Sequence, residues 1–230
     1  MSLLLLIDSS GENGSVALSE YNRIIAFKSC NDQKEQAGFL QPAIKEILAE
    51  KGISVPELSA VAVTIGPGSY TGLRVGLATA KGLCFAAGLP LITMTTTYMM
   101  AAAARSELKQ SLPAHTSYYL CPMIDARRME VFLAVYDEDL QVIQQPAAFI
   151  LDAPEMISFQ ENKPVFCFGN GAEKWKKMNH SKNILFENFH WDARSLAEEA
   201  ARKFKEQEFD SLEQTAPLYV KPFFTHAIVK

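Results

Sequence analysis

Apolar and polar positions alternate along this chain with two different periods. Leu3 to Asp8, Ser15 to Ser19 and Ile24 to Ser29 are short apolar runs, separated by Gly11-Glu12-Asn13-Gly14 and Glu20-Tyr21-Asn22-Arg23. Spacers this short and turn-rich predict an antiparallel meander. Leu40, Ala43, Ile44, Ile47 and Leu48 then recur at helical spacing as far as Gly52. They predict an amphipathic helix in which Pro42 is tolerated only near the first turn or as a kink. Val61 to Ile65 reads as a buried strand, Thr71 to Ala87 as a long small-residue helix, Leu91 to Met94 as a strand, and about Thr96 to Lys109 as a further helix. The order β-β-β-α-β-α-β-α predicts a mixed sheet with parallel members, layered by helices.

The second half repeats that order without repeating the sequence. Tyr118 to Asp125 and Val131 to Asp137 flank Ala126-Arg127-Arg128-Met129-Glu130 as a hairpin, with Ala147 to Leu151 as the third strand. Asp152-Ala153-Pro154 opens a short helix, Val165 to Phe168 forms a strand, and Gly169-Asn170-Gly171 leads into a helix through Lys177. Ile184 to Phe189 is the last strand, and a helix follows from Asp192 to about Gln207. A duplicated order predicts two related lobes, 1–108 and 109–230, joined near Ser106 to Pro113 with a cleft between them. The final segment is free to pack back on the first lobe. The expected class is α/β, a duplicated actin-like fold of the ASKHA, ribonuclease H-like kind.

Composition narrows this reading modestly. The 230 residues carry a net charge of -4 with no run of like charge, so there is no electrostatic footprint for strong direct nucleic-acid binding. Cys30, Cys84, Cys121 and Cys167 lie far apart in apolar runs with no C-x-x-C pair, as expected of buried thiols in a reducing cytosol. Leu3 to Ile7 is too short for a signal-peptide core, and no apolar run approaches membrane-spanning length. A soluble, cytoplasmic protein with no membrane partner is expected.

The densest chemistry lies in Val61 to Gly82, VAVTIGPGSYTGLRVGLATAKG. A strand, a glycine-studded turn and a helix opening near Thr71 aim backbone N–H groups and a helix dipole at one point, where an anion or a backbone could sit. The G-x-G-x-x-x-G spacing misses the dinucleotide fingerprint, and no Lys-Ser or Lys-Thr pair completes a P-loop. Gly66, Gly68 and Ser69, with Asp8 at the end of the first strand, are the candidate cofactor-binding residues. The alternative is that the glycines supply positive φ and tight packing, and that Asp8 caps a turn with Ser9 and Ser10. Asp125, Arg127 and Arg128 sit at a hairpin tip, where a carboxylate could orient a guanidinium or simply form a surface ion pair. His115, His180, His190 and His226 are scattered and read as solvated or hydrogen-bonded side chains. No G-x-S-x-G elbow is present, and Ser69 has no identifiable histidine and acid, so a protease reading lacks chemical support.

On IGPGSYTGLRVGLATAKGL followed by PLITM, the chain resembles the TsaB, or YeaZ-type, family of subunits in bacterial tRNA threonylcarbamoyladenosine synthesis. LLLLIDSSGENGSVALSE, MIDARRMEVF, FGNGAEKW and PLYVK fit in the same order. The resemblance implies a non-catalytic scaffold or activator that dimerises with a catalytic TsaD-type paralogue, the subunit that transfers threonylcarbamoyl to an adenosine of tRNA. It also implies a TsaE-type ATPase in the larger complex, a homodimer when the chain is alone, and only indirect contact with tRNA. No cofactor of its own is expected, although ATP or ADP and magnesium have a place at the complex interface. The catalytic paralogues bind metal through two histidines spaced i, i+4 after the strand equivalent to Leu91 to Met94. Here the positions read Thr95 to Met100, so no metal ligand and no catalytic residue is expected. In the family the two helices of the first half pair with the partner as a helix bundle. Phe39, Leu40, Ala43, Leu73, Gly76 and Ala80 are the expected interface residues. The chain departs from the family at Lys34 to Phe39, where relatives tend to have His-Ser-Glu and where Gly38 weakens the helix start by roughly 1 kcal/mol relative to alanine. Two rival functions are an actin-like-fold ATPase or small-molecule kinase, and a self-associating regulatory protein.

Overall fold

The computed structural model describes residues 2–30, 36–151 and 163–221. The first five strands are β1 (Leu3–Asp8), β2 (Gly14–Glu20), β3 (Arg23–Cys30), β4 (Ala60–Thr64) and β5 (Leu91–Met94), in the order β3-β2-β1-β4-β5. β2 runs antiparallel to β1 and to β3, while β4 and β5 are parallel additions on the other side. β1 is the central strand and every residue of it is buried. Its side chains divide by parity, as a pleat requires. Leu3, Leu5 and Ile7 face α1 (Gln36–Lys51) and α2 (Tyr70–Ala87). Leu4 and Leu6 face the opposite layer. A strand covered on both faces is apolar at every position, which is why LLLLI shows no alternation.

That opposite layer comes from late in the chain. Met99 of α3 (Thr96–Ser111), Ala193 and Leu196 of a 3-10 turn, and Ala197 and Ala200 of α5 (Ala197–Glu206) pack on Leu4, Leu6, Ala60, Ala62 and Ile92. The chain then straps the sheet edge. Asp210 N donates to the Leu91 carbonyl at 2.8 Å, Thr93 N donates to Asp210 Oδ2 at 2.7 Å, and Leu218 N donates to the Ile65 carbonyl at 2.6 Å. Residues 193–218, which follow the expected boundary at 108 and 109, pack back on the first sheet, as the reading of the final segment allowed. The reason is area, since α1 and α2 cover only one face of an apolar sheet.

The second sheet repeats the order with β6 (Tyr119–Asp125) at its centre. β7 (Glu130–Asp137) and β8 (Val142–Ile150) add antiparallel on one side, and β9 (Val165–Phe168) and β10 (Ile184–Phe186) add parallel on the other. Met100, Ala101, Ala104 and Leu108 of α3 pack on Tyr118, Leu120, Tyr136 and Phe168, so α3 serves both lobes. Trp175 of the short α4 (Ala172–Lys176) fills the other face with Cys121, Met123 and Cys167. The helix expected from Asp152 lies outside the described residues. β8 starts earlier than expected, and as an edge strand it carries Pro146 without breaking a central ladder. Pro42 lies in the second turn of α1 rather than its first, opposite the carbonyl of exposed Gly38. Among the described residues no helix is long and apolar enough to cross a membrane.

Candidate functional site

The ends of β1 and β4 and the start of α2 converge on one polar cluster. Asp8 is buried, and its Oδ1 accepts hydrogen bonds from Ser10 N at 3.0 Å, Ser10 Oγ at 2.7 Å and Thr64 Oγ1 at 2.7 Å. Burial pushes the Asp8 carboxyl above its ordinary range, and the hydrogen bonds from Ser10 and Thr64 only partly offset it. The Ser9-Ser10 turn then lies flat on α2. Ser69 N donates to the Ser10 carbonyl at 2.7 Å, Ser9 Oγ donates to the Gly72 carbonyl at 2.8 Å, and Ser69 Oγ caps the helix by accepting from Gly72 N at 3.3 Å.

The glycines are required by this approach. A Cβ on Gly68 would lie 2.2 Å from the Ser10 carbonyl oxygen, and one on Gly72 would lie 2.0 Å from that of Ser9. Gly66 has φ +118, its carbonyl accepts from Thr96 N at 2.8 Å, and a Cβ there would come within 2.8 Å of the Leu218 carbonyl oxygen. A backbone does occupy the point at which the loop aims, and it is the chain's own. The structure thus brings Asp8, Gly66, Gly68 and Ser69 into one cluster. All three donors to Asp8 meet one oxygen, Oδ1, and the loop is packed by the Ser9-Ser10 and Leu218 backbones. Among the described residues no group of three or more His, Cys, Asp or Glu side chains is placed to hold a metal.

The positions where the resemblance puts metal-binding histidines form the start of α3. Thr95 Oγ1 caps the helix by accepting from Tyr98 N at 3.1 Å. Thr97 Oγ1 and Thr95 Oγ1 lie 3.0 and 3.4 Å from the Tyr136 hydroxyl, which reaches across from β7. Tyr98 packs edge-on against Tyr136 with ring centroids 5.9 Å apart. A threonine and tyrosine seam joins the lobes at this point.

The other candidates do not gather. His115, His180 and His190 fall in three separate connections, and His226 lies outside the described residues. Asp125 pairs with Lys174, Nζ to Oδ1 2.5 Å, and accepts from Arg127 N at 2.6 Å; the Arg127 charge acts on it without a side-chain hydrogen bond. Burial alone would raise the Asp125 carboxyl, but Lys174 and the Arg127 N–H outweigh it and hold it below its ordinary range. Arg127 and Arg128 have φ of 67° and 47°, the geometry of a tight hairpin turn, and both side chains are exposed.

The expected partner surface needs correction. Leu40, Ala43, Leu73, Gly76 and Ala80 are buried inside the first lobe, and Phe39 is half-buried against the same core. Gly76 faces inward because a Cβ there would meet Ser9 Oγ at 2.2 Å. The small-residue stripe admits the chain's own turn. The outward face of α2 instead carries Ala78, Gly82 and Phe85, which is 84% exposed, with Val75 and Leu83 half-buried. A largely apolar groove of about 770 Å³ runs between Val75, Ala78, Gly82 and Leu83 of α2 and Ile44, Leu48 and Ile53 of α1 and its following loop, and Phe85 lies outside its lining. Sequence reasoning did not single out Phe85, the most exposed large apolar side chain among the described residues. The signal was there, since a large aromatic falls on the same face as Ala78 and Gly82.

Two lobes with the same strand order, sharing a helix and closed by a late return of the chain, define a protein of the actin-like class. The chain belongs to the TsaD-type family: the family described as TsaD, tRNA N6-adenosine threonylcarbamoyltransferase, matches residues 33–228. Within it, the chain is similar to the tRNA threonylcarbamoyladenosine biosynthesis protein TsaB of Bacillus subtilis, 27% identical over 179 residues, covering 76% of this chain and 74% of that protein. It is also similar to TsaB of Escherichia coli, 34% identical over 137 residues, covering 59% of this chain and 55% of that protein. Its fold matches YeaZ from Pseudomonas aeruginosa with a TM-score of 0.81 at 24% identity, covering 95% of this chain and 100% of that one. The TsaB-type resemblance and the duplicated fold expected from the sequence are both borne out.

Proposed function

We propose that this chain acts in tRNA threonylcarbamoyladenosine biosynthesis as the non-catalytic, cytoplasmic subunit that pairs with a catalytic TsaD-type paralogue. The names of its relatives support the pathway, and the exposed apolar groove between α1 and α2 supports a pairing role. Val75 and Leu83, which line the groove, and the 84%-exposed Phe85 elsewhere on the same helix are apolar surface that a partner helix would cover. The seam at Thr95, Thr97 and Tyr136 uses in structure the positions where the catalytic paralogues need imidazoles.

The test is reconstitution of tRNA modification with the TsaD-type partner, with this chain present, absent, or carrying Phe85→Glu. Covering Phe85 is worth about 2 kcal/mol, so a charge there should weaken pairing by 30-fold or more, roughly. The variant's own stability should change by less than about 0.5 kcal/mol, because the side chain is solvated in the free chain. Full modification activity without this chain would refute the role. Unchanged pairing in a folded Phe85→Glu chain would refute the surface.

A further inference from the structure

A second groove, of about 1090 Å³, opens along the seam between the lobes. Its floor is the face of α3 that carries Tyr98, Ala102, Arg105 and Lys109. One wall is built by the 3-10 turn and α5, and the other by Asp139 to Gln141 at the β7–β8 turn. Two of its four lysine and arginine side chains are already matched. Arg194 is gripped by Asp192, Nη2 to Oδ2 2.6 Å and Nε to Oδ1 3.0 Å. Arg202 is held by Glu199 at 2.7 Å, by Glu208 at 2.9 Å and by Glu206. Glu107 accepts from His190 N at 3.3 Å, and His190 Nε2 lies 3.5 Å from Asp192 Oδ2. Glu198 and Asp139 are exposed at the rim.

Arg105 and Lys109 are left. They stand four residues apart on one helical face, and neither forms a hydrogen bond or ion pair with any described residue. The Arg105 Nε is moreover buried without an acceptor. A desolvated guanidinium N–H is unfavourable until something accepts from it. Nε and a neighbouring Nη present two parallel donors, a fork that matches two oxygens of one phosphate or carboxylate group.

We propose that the interlobe groove binds a small oxyanion-bearing molecule, phosphorylated or polycarboxylate, whose anionic group is taken by Arg105 with Lys109 beside it. Tyr98 and Ala102 on the same face would receive the less polar part. The two walls come from different lobes, so such a ligand bridges them and stabilises their arrangement by mass action. The inference stands apart from the pairing role, because the two grooves lie on different elements.

Calorimetric titration of the purified chain with pyrophosphate and with citrate tests it, each probe standing for one source of the oxyanion. We expect one saturable site per chain, weakened about tenfold or more by Arg105→Gln and several-fold by Lys109→Gln, and unchanged by Arg127→Gln at the distant hairpin tip. The probe that binds more tightly names the source. Absence of saturable binding by either probe below about 10 mM would overturn the proposal. So would equal affinity in Arg105→Gln, or an equal loss in Arg127→Gln. If Arg105→Gln fails to fold, Arg105→Lys keeps the charge and removes the fork. A clear loss of affinity then supports the site, and none overturns it.

Discussion

Three glycines of α2 face different surroundings, and replacing each with alanine should give effects of opposite sign. In a helix interior the exchange normally stabilises by up to about 1 kcal/mol through the backbone entropy of the unfolded chain. At Gly82, which is exposed with nothing within 4 Å of an added Cβ, that gain should appear in full. At Gly72 the new carbon would lie 2.0 Å from the Ser9 carbonyl oxygen, well inside van der Waals contact. Relief requires the Ser9-Ser10 turn and α2 to separate by over about 1 Å. That movement strains the Ser69 N to Ser10 carbonyl bond of 2.7 Å and the Ser9 Oγ to Gly72 carbonyl bond of 2.8 Å. Overpacking costs about 1–3 kcal/mol and a weakened buried hydrogen bond about 1 kcal/mol more, so Gly72→Ala should lose about 2–4 kcal/mol net. Gly76→Ala should fall between them, because its contact at 2.2 Å is with Ser9 Oγ, a side-chain atom that can turn away. For a chain of this length, circular dichroism melts should show a rise of about 2–4 °C for Gly82→Ala and a fall of about 5–15 °C for Gly72→Ala. If Gly72→Ala matches Gly82→Ala, the glycine stretch is not there to admit the turn, and a ligand role for its backbone regains ground.

Asp8 gives a pH prediction. Its folded pKa is raised above the ordinary 3.8, so between those two values the native state holds a proton that the unfolded state has lost. Stability should therefore fall as pH rises through that interval and then level off. Asp8→Asn keeps an acceptor for Ser10 and Thr64 and should abolish the slope while remaining at least as stable at pH 7. Asp8→Ala should lose about 2–4 kcal/mol; urea melts that found the asparagine variant as weak as the alanine one would show that the charge itself is needed. Asp210→Ala removes the acceptor for Thr93 N, so hydrogen exchange should quicken along β5, and an unchanged rate would mean that the strap does not protect that edge. Cys84, Cys121 and Cys167 are fully buried, and burial pushes the Cys84 thiol up to about 11, so Ellman's reagent at pH 8 should reach these thiols only after unfolding.

Much of the fold was legible because each element carried its own local signal. The meander spacers fixed β1 to β3, the β-branched run fixed β4, and the helical recurrence from Leu40 to Leu48 fixed α1. The duplication could be read from element order alone, and the two sheets have matching strand orders. What could not be read was long-range. No local pattern says that Ala193 to Ala200 cover the far side of β1, since an amphipathic helix looks the same whichever sheet it meets. The strap through Asp210 and Leu218 has no regular periodicity, and its hydrogen bonds are made more than a hundred residues from their partners in sequence.

The candidate site shows the same limit more sharply. Sequence placed Asp8 at a strand end and the glycines in a strand-to-helix turn, and the structure brings them together. A glycine stripe on a helix signals close approach of something, but Gly72 and Gly76 do not say whether that thing is a ligand, a partner or the chain itself. The Ser9-Ser10 turn answers this, and its answer sets the rotation of α2. With Gly72 and Gly76 turned inward, Leu73, Leu77 and Ala80 must follow them into the core, and Ala78, Gly82 and Phe85 must face out. One packing requirement at Gly72 therefore decides which residues remain outward for a partner six to thirteen residues further along. A variant that tests pairing must come from that outward set, because Leu73→Glu would place a charge at a position 1% exposed and report on folding instead.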